Sequence, residues 1–525
     1  VALDALAAAP FLLAALARWS GWWPVGDDAS IAWRSLDVLS RHSPLVGSVT
    51  LPGHGVTAFG LGPAEFWLLT VPVHLDPVHG TLWGAALWCA AAAVVAVEAV
   101  RAATGWPGAL VAAGAVVLAA ATLPAALGNL VWNPSFGIFW LLAAAGVGTA
   151  VAAGRLAWTP VLVVMASVVA QTHEVFAPPA FLILLGAVGA GILWRRRAAE
   201  RLSGWWAPVA IGAGMACWWA PAVEQFTGRP GNLTVLSQAQ GGPTLGLGHA
   251  LGDLGWAVGP DPVWLRPLPH GGAVDTFAFT AGYFLHGALW GVLALALLAG
   301  AAILGWRRRV TWVFGSATVA LLLAVGTVGA LAAYPTVDFL KLSYLGAILW
   351  PVGLTAAVAL VGAAALLLGP VWHSGARRSD ALSRGHGLVL GVALGLGVAL
   401  ALLAAVSSDP PYPASETQLV HRSVEAADGL APRRPFRLEV GGGQARPILR
   451  GAELLGVAYG LRVGGHQPEL PWEGNQLGQD AAVRTGTASV LRFDPFGLGP
   501  EVALGDQGEV GRMHTVATRH RTAHP

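Results

Sequence analysis

Two adjacent acids, Asp27 and Asp28, stand just past the first apolar run, in the stretch GWWPVGDDASIAWRSLDVLSRHSPLVG at residues 21–47. A carboxylate is suited to taking a proton from an attacking hydroxyl. One of the two suffices to cap a helix starting at Ala29, because Asp is a favoured N-cap, and the other is then left for chemistry. Base-assisted displacement also needs groups that receive charge building on a departing anion. Candidates are Arg229 in TGRPGN, Lys341 (the only lysine in the chain), Arg41, and His173 with Glu174 in QTHEVF. His42, His54, Asn133 and Gln225 are further polar residues for an acceptor or for the loops around it. Asp28, His173 and Glu174 form the candidate set if a divalent metal ion takes part.

The elements that must position these residues are apolar. Of 525 residues, 55% are hydrophobic and 11% charged, far from the quarter charged of a soluble chain. The mean hydropathy is +0.62. Apolar runs at roughly 3–22, 80–101, 107–127, 135–153, 157–172, 177–194, 205–222, 280–304, 310–333, 343–369 and 386–406 predict about eleven transmembrane helices. The first has no small-residue cleavage site after it and reads as a retained helix. Arg101, Arg155, Arg195 to Arg197 with Arg201, Arg307 to Arg309, and Arg377, Arg378 and Arg384 fall in every second connection. The positive-inside rule makes those connections cytoplasmic and the others external, including 23–79, 223–279 and everything beyond 407. The two cysteines, Cys89 and Cys217, lie in apolar segments, which excludes a disulfide framework.

Two stretches depart from the helical pattern. Residues 61–75 are too short to span and carry Pro63 and Pro72, so they predict an interfacial or re-entrant helix. After SSDPPYPASE the composition changes. Short alternating runs such as PFRLEV and ASVLRFD predict a small β-rich domain over 407–525, with a disordered end. The helical domain then covers 1–406. Asn232-Leu233-Thr234 matches a glycosylation sequon in form alone.

The polar residues collect at the external helix ends, where acids and histidines face a cavity or a partner instead of lipid. A long first external loop with an acidic pair, a bundle of about eleven helices and an external β-rich end resembles the GT-C superfamily of polyprenyl-phosphate-dependent glycosyltransferases. More narrowly, the succession GDDASIAWRSLDVLSRHSPLVG, WNPSFG, QTHEVF and WWAPAVEQFTGRPGNL resembles a group of actinobacterial integral membrane proteins of that type. The likeness runs through about residue 360, but the segment after SPLVG, LPGHGVTAFGLGPAEF, departs from the group's pattern and leaves the role of His54 open.

The resemblance implies a multi-pass protein of the bacterial cytoplasmic membrane, serving the cell envelope. Its donor would be a polyprenyl-phosphate-linked sugar and its acceptor an extracytoplasmic glycan, lipid or protein. It maps the base to Asp27 or Asp28. Nothing points to nucleic acid. A transporter or flippase of a lipid-linked or polar substrate is the alternative. That class predicts inverted repeats and broken helices near the midplane, and neither is visible.

Overall fold

The computed structural model describes residues 1–50, 58–200, 204–239, 243–265, 284–335 and 343–373, with shorter stretches between 397 and 516. Helix α1 (Ala2–Arg18) is followed by a short helix α2 (Asp27–Asp37), a two-stranded ribbon of β1 (Val49–Thr50) and β2 (Ala58–Phe59), and α3 (Ala64–Leu75). The bundle continues with α4 (Gly80–Thr104), α5 (Trp106–Thr122), α6 (Pro124–Gly128), α7 (Asn133–Ala152), α8 (Thr159–Thr172), α9 (Ala177–Arg197) and α10 (Trp206–Thr227). After α11 (Asn232–Ala239) and α12 (Gly246–Val258) come the long helices α13 (Phe284–Arg308), α14 (Thr311–Ala333) and α15 (Leu349–His373).

Prolines set several helix starts. Pro107, Pro134, Pro160 and Pro178 occupy the first turns of α5, α7, α8 and α9, where no intrahelical N–H is lost. Gly105 closes α4 at φ 78°, a conformation that disfavours a side chain.

Seven of the described helical segments are long and apolar enough to cross a membrane. Helices α5 and α8 are shorter apolar helices. The expected span at 386–406 lies almost wholly outside the described residues. Segment 61–75 does form a short helix, as expected, but α3 is no surface helix: Phe66, Leu69 and Val73 are buried. It packs against α2, α4 and α8.

Contacts between helix ends define two ends of the bundle. At one end Arg197 lies 4.4 Å over the Trp306 ring, joining the end of α9 to that of α13. At the other end, α2, α3, β2, α11 and the 3-10 turn Glu174–Phe176 interlock through the contacts described below.

Beyond residue 407 the described elements are α16 (Ala414–Asp428), β3 (Phe436–Val440), α17 (Pro447–Val463), β4 (Pro468–Glu469), β5 (Val490–Phe493) and β6 (His514–Val516). The sheet order is β4-β3-β5-β6, with β3 parallel to both β4 and β5. Among the described residues this part mixes helices and strands and is not β-rich as expected. The apolar residues of PILRGAELLGVAYGLRV recur at helical spacing, and its glycines are packing positions, not turns. Val420 and Ala427 of α16 and Leu454, Leu455, Val457, Ala458 and Leu461 of α17 share a buried cluster with Val25, Ala29, Ala32 and Trp33. The C-terminal helices thus rest on α2.

Candidate active site

The acidic pair opens α2, but neither member caps it. The N-cap position belongs to Gly26, at φ 55° and ψ −126°, with no side-chain cap, so the helix begins at Asp27 instead of Ala29. A residue in that backbone region is held most easily as glycine. Asp27 and Asp28 lie in the first turn, where the positive end of the helix dipole favours carboxylates.

Their surroundings differ. Asp28 is buried at 2% exposure, and its Oδ2 accepts no hydrogen bond. Burial, followed by repulsion from Asp27, holds its pKa well above the ordinary value, and Arg18 offsets this only in part. Asp27 is reached by solvent. The protein around it raises its pKa by desolvation, and a hydrogen bond with the Trp132 side chain acts in the opposite direction.

A third acid completes the group. Glu65, at the start of α3, is buried, and its Oε1 also lacks a partner. Burial, then the charges of Asp28 and Asp27, hold its pKa well above the ordinary carboxylate value. Like charges at short range disfavour joint ionisation, so the three acids share protons as a set. Arg18 is buried beside them and donates from Nη1 to the Leu127 carbonyl at 3.1 Å. Sequence alone gave Glu65 no role. The signal was a lone acid inside an otherwise apolar run.

His173 and Glu174 form a second group. The Val175 N–H donates to His173 Nδ1 at 3.3 Å, and Glu174 Oε2 lies 3.4 Å from the same nitrogen. One nitrogen thus faces both a backbone donor and a carboxylate, and its role depends on the tautomer. Glu174 Oε1 accepts from Thr50 Oγ1 at 3.1 Å and from Tyr334 Oη at 3.4 Å. It therefore ties the first loop to the end of α14. Asp28 does not join His173 and Glu174. Among the described residues no three His, Cys, Asp or Glu side chains form a set able to hold a metal ion, so the candidate metal ligands do not assemble.

Several candidates have structural partners. Asn133 donates to the Thr172 carbonyl at 2.6 Å, joining α7 to α8. Gln225 donates to Thr234 at 3.0 Å and accepts from the Leu233 N–H at 2.9 Å, closing the turn before α11. Asn232 is buried and pairs with both the N–H and the carbonyl of Phe59 at 2.9 Å. That pairing makes the sequon a structural clasp.

Gln171, unassigned in the sequence reading, accepts from the Ala64 N–H at 3.1 Å and donates to the Cys217 carbonyl at 2.8 Å. It fixes the start of α3, and with it Glu65. Arg229 is exposed. Arg41 donates from Nε to His42 Nε2 at 2.9 Å at an exposed position. Lys341 and His54 lie outside the described residues.

A polytopic helical bundle with a polar cluster gathered at one end defines the class. No protein-family model matches the chain, and no curated protein matches it. Among solved structures, ArnT from Cupriavidus metallidurans bound to undecaprenyl phosphate is similar with a TM-score of 0.50 at 14% identity, covering 93% of this chain and 92% of that one. The oligosaccharyltransferase of Archaeoglobus fulgidus in its apo form is similar at a TM-score of 0.42 and 13% identity. That likeness covers 87% of this chain, which spans only 63% of the archaeal protein. At these identities the likeness is one of fold. The fold likeness to ArnT agrees with the expected polytopic helical architecture, and the expected actinobacterial kinship is without support.

Proposed function

We propose that this protein is a membrane glycosyltransferase that moves a sugar from a polyprenyl-phosphate donor to an extracytoplasmic glycan, lipid or protein acceptor. The observation that carries the reading is the graded acidic cluster, with Asp27 open to solvent and Asp28 and Glu65 buried behind it. It lies on a fold similar to that of ArnT bound to undecaprenyl phosphate. Asp27 is the base, because only it is both reachable and within a set that modulates its proton affinity. The acceptor hydroxyl gives its proton to Asp27, and its oxygen forms a bond to the anomeric carbon. The bond from that carbon to the phosphate oxygen breaks, and its electron pair leaves with the polyprenyl phosphate. A single displacement of this kind inverts the anomeric centre.

Asp28 and Glu65 serve as the protonated backing of the cluster. Arg18 limits the negative charge at its base. Arg229, Lys341 and Arg41 are the candidates for the donor phosphate, and His173 and Glu174 hold the loop that borders it. The cluster faces away from the cytoplasm of a bacterial cell, at the level where a lipid-linked phosphosugar presents its leaving group. Helices α16 and α17 lie on that face, packed against α2.

The test is transfer of labelled sugar from a polyprenyl-phosphate donor by the purified protein. Asp27→Asn should lower kcat by about 10²–10⁴, the range for loss of a general base, while the protein keeps its thermal midpoint. Near-normal turnover in folded Asp27→Asn and in the double variant Asp27→Asn/Asp28→Asn would overturn the mechanism.

A further inference from the structure

Helix α17 touches the acid-bearing end of the molecule at three separate points. Arg462 forms an ion pair with Asp37, the last residue of α2, and its guanidinium lies 4.5 Å over the Trp33 ring on the same helix. Asp37 is buried and has Arg34 at 3.8 Å on its other side. Tyr459 is buried, and its hydroxyl donates to the Pro77 carbonyl just beyond α3.

At the start of α2, Gly456 and Gly460 allow backbone approach. A Cβ at Gly456 would meet Val420 Cγ1 at 2.8 Å and the Pro24 carbonyl oxygen at 3.0 Å. One at Gly460 would meet Val424 at 2.5 Å and Trp23 at 3.0 Å. Pro24 and Val25 immediately precede the glycine that sets up the acidic turn. One helix therefore grips α2 at both ends and the connection after α3.

We infer that α17 is part of the catalytic framework, with Arg462 and Tyr459 as positioning residues that fix α2 and α3 and so keep Asp28 and Glu65 buried behind Asp27. The inference rests on the proposed role of Asp27 and goes beyond it. It makes the C-terminal segment a determinant of the reacting geometry and not only a cover or a binding module. An Arg is suited to this place because its planar fork can pair with a carboxylate while its face lies on an aromatic ring. Lysine keeps the charge and loses the fork.

The experiment uses the full chain in detergent, treated with a carbodiimide and glycine ethyl ester, with modification at Asp27 and Asp28 read separately by fragmentation mass spectrometry. Asp27 should react and Asp28 resist in the unaltered protein. Arg462→Ala should raise the Asp28-to-Asp27 labelling ratio about tenfold or more. It should also lower kcat by roughly 10–100-fold, the scale of a misplaced reacting group, with the donor KM held within about twofold, as a loss confined to the transition state requires. Arg462→Lys should recover part of both. Tyr459→Phe, a milder change, should shift the labelling ratio in the same direction and serves as the test if Arg462→Ala does not fold. A folded variant, by chromatography and thermal midpoint, with the original labelling ratio and kcat would overturn the inference. If the unaltered protein transfers no sugar from the polyprenyl-phosphate donor, the proposed function falls and the labelling ratio alone decides the placement.

Discussion

At the residue scale, the acidic pair divides its work by access. Asp27 reaches solvent and Asp28 does not, although they are neighbours on one turn. Because burial raises the pKa of Asp28 and Glu65, each binds its proton more tightly folded than unfolded. The stability they lend is therefore present below the ordinary carboxylate pKa and lost as pH rises through the raised one. The thermal midpoint should fall as pH rises across that window. Asp28→Asn and Glu65→Gln, singly or together, should flatten the fall, and a thermal-shift series over pH checks it. The removed Trp132 hydrogen bond predicts a different signature: Trp132→Phe should raise the Asp27 pKa and move the acidic limb of the activity profile to higher pH.

The acids were legible in the sequence because charge is rare in this chain. Their ranking was not legible, since Asp27 and Asp28 differ only in what α3, Arg18 and Trp132 bring beside them. Glu65 was missed as a partner for the same reason: it lies 37 residues beyond Asp28 and joins it only through packing.

At the element scale, helices were read well where apolar length decides and poorly where packing decides. Runs of twenty apolar residues leave few alternatives in a bilayer, so α4, α7, α9, α13 and α14 match their expected positions closely. Helix α17 was read as part of a β-rich region because short alternating runs flank it, whereas its own apolar residues recur at helical spacing and Gly456 and Gly460 serve close helix contact.

The same device joins α12 to α13, where a Cβ at Gly255 or Gly291 would strike the Gly287 or Leu251 carbonyl oxygen at 1.8 and 2.1 Å. Asp253 lies on α12, outside the candidate spans, buried and with its pKa pushed up to about 8 by desolvation. It is therefore mostly neutral at pH 7. Its contribution to stability should be full only below the ordinary carboxylate pKa and be lost progressively as pH rises from there through about 8. Asp253→Asn should be near-silent at about pH 4 and stabilising at about pH 8 and above, as thermal midpoints across that range would show.

At the scale of the whole molecule, the alternation of basic connections implies a sidedness that can be measured directly. In a chain with Cys89 and Cys217 replaced by alanine, a cysteine at exposed Arg229 should react with an impermeant thiol reagent in intact cells, and one at Arg196 should react only after permeabilisation. The reverse pattern would place the acidic cluster in the cytoplasm and remove the reason to expect a donor sugar presented on the outer face. The number of helices could not be fixed from composition alone, because α5, α8 and α10 fall short of the length or apolarity that marks a span unambiguously.

The pairing of Asp37 with Arg462 joins residues 425 positions apart, and this separation bears on how the protein is made. Helix α2 leaves the ribosome well before the helix that grips it. At about 5–20 residues per second, the intervening chain takes from roughly 20 s to over a minute to emerge. For all that time the acidic turn is in the membrane without its clasp. A product that terminates before residue 447 would insert, thread its helices and still lack the contacts that set the site. Biosynthesis thus withholds the contacts that set the acidic turn until residue 462 has emerged, so termination before it would yield a bundle with an unset acidic turn.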